Sequence, residues 1–334
     1  MINSKSKYAP IVLFVYNRPW HTQKTIEALQ KNELSNDSNL IIYSDDAKNK
    51  DAIENVKKVR EYINTINGFN KITIINRKKN WGLASSIIDG VTKVINEFGS
   101  IIVLEDDLVT SPYFLKFMND SLSIYENEDQ VASIHGYVYP IPNLPKTFFI
   151  RGADCWGWAT WKNRWKIFEP DGQKLLDNLK SRKLELEADF NGSYDFTSML
   201  EDQILNRNDS WAIRWYMSAF LKNMLTLYPK IPFVQNIGLD NSGVHCNAIS
   251  QEASELVEEY SFDKIDVIES MEARYKFEKY HFETKPSILY HIKSKLTPPP
   301  HLKKIEALKY VIVVIFELSK KLLKKFNNYM RREN

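Results

Sequence analysis

Residues 101–108 read Ile101-Ile-Val-Leu-Glu105-Asp106-Asp107-Leu108. Four apolar residues run without a break into three carboxylates. A short continuous Ile/Val/Leu run is the pattern of a parallel strand covered on both faces. In open α/β sheets ligands bind beyond the carboxyl ends of the strands. Three adjacent acids repel one another, and a divalent cation with oxygen ligands offsets that repulsion. Mg²⁺ or Mn²⁺ is typically held by one or two carboxylates together with substrate phosphates. The plainer alternative is an acidic helix N-terminus, with Asp106 and Asp107 favoured by the dipole; the position directly after a fourth buried strand, with Pro112 opening the next helix, favours the metal.

Working outward, the first 135 residues alternate strand and helix. Strands are expected at Ile11–Tyr16, Leu40–Tyr43, Ile72–Ile75, Ile101–Leu104 and Val131–Ile134. Helices are expected at Thr22–Leu29, Ala52–Ile63, Leu83–Phe98 and Tyr113–Tyr125. Units of this kind imply right-handed crossovers and a doubly wound α/β sheet. Polar groups follow each of the first three strands: Asn17-Arg18-Pro19, Ser44-Asp45-Asp46, and Asn76-Arg77-Lys78-Lys79-Asn80-Trp81-Gly82. A parallel sheet puts all of them on one rim with Glu105–Asp107. Arg18 and Arg77 suit a diphosphate, which a guanidinium fork matches. Asp45 or Asp46 suits a base N–H or a ribose hydroxyl.

Beyond residue 135 the pattern loosens. A strand is expected at Phe148–Arg151, helices at Leu175–Phe190, Phe196–Asn206 and Ile213–Asn223, and a strand pair within Leu225–Val234. Residues 155–165 hold four of the eight tryptophans. Trp158, Trp161 and Trp165 have the i, i+3, i+7 spacing of one helix face, which predicts a core stripe. Trp156 and Trp158 flank Gly157, where a flat ring suits stacking on a sugar. The loop from Asn236 to Asn247, with Gly238, Ser242, Gly243 and His245, is polar and suited to closing over a bound nucleotide. Other schemes fail on spacing. No two glycines form G-x-G, no phosphate-loop Lys-Ser/Thr follows a glycine pair, and neither H-E-x-x-H nor G-x-S-x-G occurs.

The chain has 334 residues, 43% hydrophobic and 26% charged, an ordinary globular balance. Formal charge is +3, unevenly spread. Residues 301–334 carry nine Lys/Arg against three Glu, and residues 1–300 carry 36 against 39. A mildly acidic body argues against a nucleic-acid partner. Two cysteines, Cys155 and Cys246, and the lack of a signal-peptide core or spanning segment predict a cytoplasmic protein. Residues 302–334 read as a basic amphipathic helix for an anionic membrane surface, peripheral on the inner face of the plasma membrane, or as a helix packed on the body. The remaining organisation is expected as 1–250, with halves 1–135 and 136–250, and an extension over 251–296.

Residues 8–247 resemble GT-A glycosyltransferases, in particular the branch of N-acetylglucosaminyltransferase I and bacterial surface-polysaccharide glycosyltransferases. The carrying motifs are Val15-Tyr-Asn17-Arg18-Pro19, Tyr43-Ser-Asp45-Asp46, Asn80-Trp-Gly82-Leu83 and Glu105-Asp106-Asp107-Leu108. Gly157-Trp-Ala-Thr-Trp161 and the loop from Gly238 to His245 extend the likeness. The resemblance implies a GT-A fold: a Rossmann-like nucleotide-binding, mainly parallel sheet flanked by helices, here with a C-terminal helical extension. It implies a nucleotide-sugar donor, a UDP-sugar such as UDP-GlcNAc, a glycan or lipid-linked acceptor, Mn²⁺, and inversion at the anomeric carbon. Asp107 matches the metal ligand. Glu105 and Asp106 match positions that contact donor and acceptor. Arg18 and Asp46 match nucleotide-binding positions. The eukaryotic enzyme carries its base in a Trp-Asp-Asp-Trp motif. Here the comparable stretch is Asp209-Ser-Trp211-Ala-Ile-Arg-Trp215, so Asp209 is the candidate base, with Asp202 and Glu201 behind it. Two other readings remain at this point: a sugar-phosphate nucleotidyltransferase, which normally has a Gly-rich loop where Asn17-Arg18-Pro19 stands, and a non-catalytic carbohydrate-binding protein on the same fold.

Overall fold

The computed structural model describes residues 7–240, 256–257 and 259–284, and isolated positions 308, 311–312, 315 and 319–320. The chain divides into two compact units, Met1–Tyr280 and His281–Asn334. The tail helix expected over 302–334 and the loop residues Ser242, Gly243 and His245 fall outside the described residues, isolated tail positions apart. No helix among the described residues is long and apolar enough to cross a membrane.

The first unit opens with β1 (Ile11–Val15), α1 (Pro19–Gln30), β2 (Asn39–Ser44), α2 (Ile53–Ile63), β3 (Lys71–Asn76), α3 (Leu83–Phe98) and β4 (Ser100–Glu105). Strands β3, β2, β1 and β4 lie side by side in that order, all parallel. Every residue of β1 and β2 is buried, as helices on both faces of a parallel sheet require. The register pairs Phe14 with Glu105, Val15 with Ser44, and Ser44 with Asn76. The four strands therefore end level, and the polar loops after them form one rim.

After β4 the chain adds β5 (Leu108–Thr110), α4 (Phe114–Ile124), β6 (Val131–His135), β7 (Thr147–Arg151), β8 (Trp158–Trp161) and α5 (Lys162–Trp165). It continues with α6 (Gly172–Ser181), α7 (Glu185–Ala188), α8 (Phe196–Ile204), α9 (Trp211–Leu221), β9 (Leu225–Pro229), β10 (Val234–Asn236) and α10 (Met271–Thr284). The sheet extends as β4-β8-β6-β9-β7, with β8 and β7 antiparallel to their neighbours. A separate antiparallel pair, β5 with β10, stands beside it. The result is the mixed, mainly parallel sheet flanked by helices of a GT-A α/β fold.

Several local expectations are corrected. Trp158 and Trp161 lie in a strand, so they point to opposite faces of the sheet and join different core clusters. Trp158 is 0% exposed, with Trp211, Trp215 and Trp165 rings at 5.4, 5.9 and 5.7 Å. It has no free face for a sugar. The long helix expected over Leu175–Phe190 is two, broken where Lys183 takes a positive φ of 56°. The pair expected within Leu225–Val234 separates: β9 enters the main sheet, and β10 pairs with β5, which the sequence pattern missed.

Trp158→Ala removes the centre of the four-tryptophan cluster. It is expected to lower stability by about 3–5 kcal/mol, measured as a shift in the urea midpoint at unchanged slope.

Candidate active site

The rim begins with the acid triplet. The chain leaves β4 at Glu105, turns through Asp106 and Asp107, and returns as β5. Asp106 is 4% exposed, and Asp107 keeps a small accessible surface. The Arg18 guanidinium reaches across from the end of β1. Its Nη2 bonds to Asp106 Oδ1 and to Asp107 Oδ2, the latter at 2.8 Å. Tyr16 N donates to Asp106 Oδ2 at 3.4 Å, and Thr25 Oγ1 to the Asp106 carbonyl at 2.9 Å. Burial opposes the charge on Arg18, but Asp106 and Asp107 outweigh it and hold its pKa above the usual range. Burial, then the charges of Asp107 and Asp106, push Glu105 up to about 8. Burial first and Asp107 next also raise Asp106, against the pull of Arg18. One guanidinium leaves three neighbouring carboxyls short of positive charge.

The segment after β10 closes on the same group. Ile237 N donates to the Asp107 carbonyl at 2.9 Å, and Gly238 N to Asn236 Oδ1 at 2.7 Å. A methyl group at Gly238 would meet Asp107 Oδ2 and Arg18 Nη1, so a side chain there would displace the ends of these two residues. Asp240 Oδ2 lies 3.2 Å from His21 Nε2 of α1.

The other rim residues divide by what they touch. Asp45 is buried and organises the loop before α3: it accepts from Trp81 N at 2.9 Å, Gly82 N at 2.9 Å and Asn80 Nδ2 at 3.1 Å. Asn80 Nδ2 also donates to the Asp46 carbonyl at 2.7 Å. Asp45 and Asn80 are thus committed to each other and to Gly82, whose φ of +74° starts the helix. Asp46 remains a third exposed, 3.4 Å from Arg60. Arg60 of α2, which sequence reasoning missed, also donates to the carbonyls of Asp45 and Arg77 at 3.3 and 2.9 Å. It braces the loops after β2 and β3 together.

Arg77 departs from expectation. It is 8% exposed, pairs with Asp89 at 2.6 Å, and lies over the Trp81 and Tyr43 rings at 3.9 and 4.9 Å. Its charge is spent against α3 rather than offered to a diphosphate. Asn17 is half-buried at the head of the Arg18 loop. Asp209 is exposed just before α9, and a Cβ on Gly82 would stand 3.6 Å from its Oδ2, so it borders the rim. Asp202 pairs with Arg207 at 2.9 Å and Glu201 with Lys180 at 3.2 Å, both on α8. Trp156 is half-buried and packs against Tyr137, ring centroids 4.7 Å apart.

No group of three or more His, Cys, Asp or Glu among the described residues forms a ready-made metal cage. The donor chemistry still suits a hard divalent cation: adjacent carboxylate oxygens, two of the acids held up in pKa by burial and by neighbouring negative charge, and Asp107 accessible.

The Glu105 shift has a measurable consequence. A carboxyl whose pKa is higher folded than unfolded binds more protons in the folded chain. Its contribution is full below the ordinary value of 4.5 and is lost as pH rises toward 8. The melting temperature of metal-free protein should fall across that window. Glu105→Gln should flatten the fall and raise the melting temperature at pH 8 by a few degrees.

Comparison with known proteins adds to this geometry. Among solved structures, the chain is similar to the Pyrobaculum calidifontis mannosyltransferase PcManGT in complex with GDP-Man and Mn²⁺, at 11% identity and a TM-score of 0.31. That match covers 41% of this chain and 38% of the other. It is similar to residues 1–349 of S. aureus TarS at 10% identity and a TM-score of 0.31, over 52% and 49% of the two chains. A UDP-glucose pyrophosphorylase complexed with UDP-glucose matches at 14% identity and a TM-score of 0.29, over 49% and 82%. The chain thus matches less than half the length of the first two, and likeness at these scores carries no argument about activity. No curated protein matches the sequence. The model of the family described as glycosyl transferase family 2 matches residues 11–180, just over half of the chain, from β1 through α6. With the GT-A sheet and its acidic rim, that match makes this chain a member of glycosyl transferase family 2.

Proposed function

We propose that the chain transfers a sugar, with inversion, from a nucleotide-sugar donor to a glycan or lipid-linked acceptor in bacterial surface polysaccharide synthesis. A UDP-sugar such as UDP-GlcNAc is the donor favoured by the sequence motifs. The observation that carries this reading is the acid triplet beyond β4, clamped by Arg18 and level with Asp46. Residues 1–135 form the donor half and 136–250 the acceptor half.

Asp107 is the proposed ligand for Mn²⁺ or Mg²⁺, with Asp106 beside it. When bound, such an ion supplies Lewis-acid neutralisation of the leaving diphosphate. Arg18 offers its guanidinium to the same phosphates, exchanging one of its carboxylate partners for them. Asp46, the accessible acid of its pair, takes the base or ribose. Asp45, Asn80 and Gly82 hold the loop that carries it in shape. Asp209 is the proposed general base. It accepts the proton of the acceptor hydroxyl as that oxygen bonds to the anomeric carbon. The carbon–oxygen bond to the diphosphate breaks, and the electron pair leaves with the phosphate. One base and one displacement give inversion. Asp202, salt-bridged to Arg207, is less suited to the role.

Calorimetric titration of UDP, GDP, dTDP and CMP, with Mn²⁺ and with EDTA, tests the reading. One nucleotide should bind only with metal, and Asp107→Ala should abolish that binding. A folded protein that binds none of the four overturns it. Asp209→Asn should lower kcat by about 10²–10⁴-fold with the nucleotide Kd unchanged. We further propose that the basic tail, 302–334, lies on anionic membrane. The chain should co-sediment with phosphatidylglycerol vesicles at low salt and be released at high salt. Equal binding to neutral vesicles would remove the electrostatic explanation.

A further inference from the structure

A second polar cluster stands beside the acid triplet and takes no part in the donor rim. The register places His135, the last residue of β6, opposite Trp158, and Trp158 opposite Val103 of β4. The chain segments that follow His135 and precede Trp158 therefore emerge next to Glu105. The second of these is Asp154-Cys155-Trp156. Cys155 lies close enough to the triplet that the charges of Glu105 and Asp107 help to raise its thiol pKa, after burial and Asp154.

Asp154 is the centre of the cluster. Its Oδ1 accepts from Cys155 N at 2.8 Å, and its Oδ2 receives the Tyr228 hydroxyl at 3.4 Å. A third of the side chain, 34%, remains exposed. The phenols of Tyr137, Tyr139, Tyr194 and Tyr228 are raised by burial and then by its charge among others. The carboxylate thus holds the Tyr228 hydroxyl and is still open to solvent.

His135 ties the cluster to the end of β6. His135 is 1% exposed, and its Nε2 accepts from Trp156 N at 3.1 Å. Burial holds its pKa below the usual range. A neutral ring that accepts at Nε2 carries its proton on Nδ1. The other ring nitrogen bonds to the Tyr137 backbone and lies 3.9 Å from Asp154 Oδ2.

We propose that Asp154 and Trp156 form a saccharide subsite beside the acid triplet, in which Asp154 accepts hydrogen bonds from acceptor-sugar hydroxyls. The half-buried ring of Trp156, backed by Tyr137, covers the sugar's C–H face while the carboxylate takes its hydroxyls. Trp156 thereby belongs to the acceptor rather than the donor. The inference rests on the chain being a glycosyltransferase that works at the β4 rim. The competing role for Asp154 is to close the turn at Cys155 and hold Tyr228. Asp154→Asn separates the two: the amide oxygen still accepts from Cys155 N, the amide nitrogen can donate to the Tyr228 hydroxyl, and the charge is gone.

The test is saturation-transfer NMR with the methyl glycosides of glucose, galactose, mannose and N-acetylglucosamine. Wild type, Asp154→Asn and Trp156→Ala are compared in the presence of Mn²⁺ and whichever nucleotide the calorimetry selects. Wild type should bind at least one glycoside. Asp154→Asn should weaken that binding about tenfold or more, with nucleotide affinity and melting temperature retained. Glycoside binding unchanged in Asp154→Asn, or absent in a wild type that binds nucleotide, overturns the subsite alone. A wild type that binds no nucleotide overturns the donor reading, and the subsite falls with it.

Discussion

Three carboxylates on consecutive residues, two of them withdrawn from water, cannot stand beside one another without positive charge. Arg18 supplies part of it, bonding to Asp106 and Asp107 at once. Much of the surrounding rim follows from keeping that arrangement in place. The strand β1 must lie next to β4, so that the loop after Val15 reaches the triplet. Asp106 is fixed from below by Tyr16 and Thr25. Gly238 lets the chain cross against Asp107 and Arg18 without displacing their side chains. Burial first, and the neighbouring carboxylates after it, still hold Glu105 and Asp106 above the usual carboxylate range. A site with a standing deficit of positive charge is poised to take a cation.

Around this centre the sheet separates two kinds of work. The parallel half ends level and presents loops cross-braced by Asp45 and Arg60, which fixes one wall. The other half inserts β8 in the opposite direction between β4 and β6. That reversal brings Asp154–Trp156 to the rim from the far side, with His135 and a set of tyrosines behind it. The buried tryptophans beneath, Trp158, Trp211 and Trp215, tie β8 to α9, on whose leading edge Asp209 sits. The same packing that stabilises the core therefore sets the spacing between the proposed donor and acceptor groups.

How much of this was legible before folding differed by region. The strand and helix order to residue 135, and the rim that gathers Arg18, Asp46 and Glu105–Asp107, could be read from runs of apolar residues ending in polar loops. Side-chain commitments within the rim could not. Arg77 and Arg18 look alike as arginines after strands, but Arg77 turns to Asp89 and two aromatic rings while Arg18 turns to the acids. Arg60 lies mid-helix with nothing local to distinguish it. The tryptophan spacing suggested a helix face, yet a strand with a following helical turn accommodates the same residues. Asp154 and His135 carry no signal in sequence at all, since nineteen residues separate two groups that meet only through β6, β8 and β9.

Sequence by itself determined the fold class and the acidic strand end, because burial on both faces of a parallel strand leaves a continuous apolar signature and its polar exit is contiguous in the chain. Tertiary structure decided which charges are free and which are spent. That choice depends on neighbours brought together across the sheet: Asp89 against Arg77, Asp106 against Arg18, Gly238 over Asp107, His135 behind Asp154. Electrostatic pairing acts over a few ångströms in space, and no one-dimensional spacing records it.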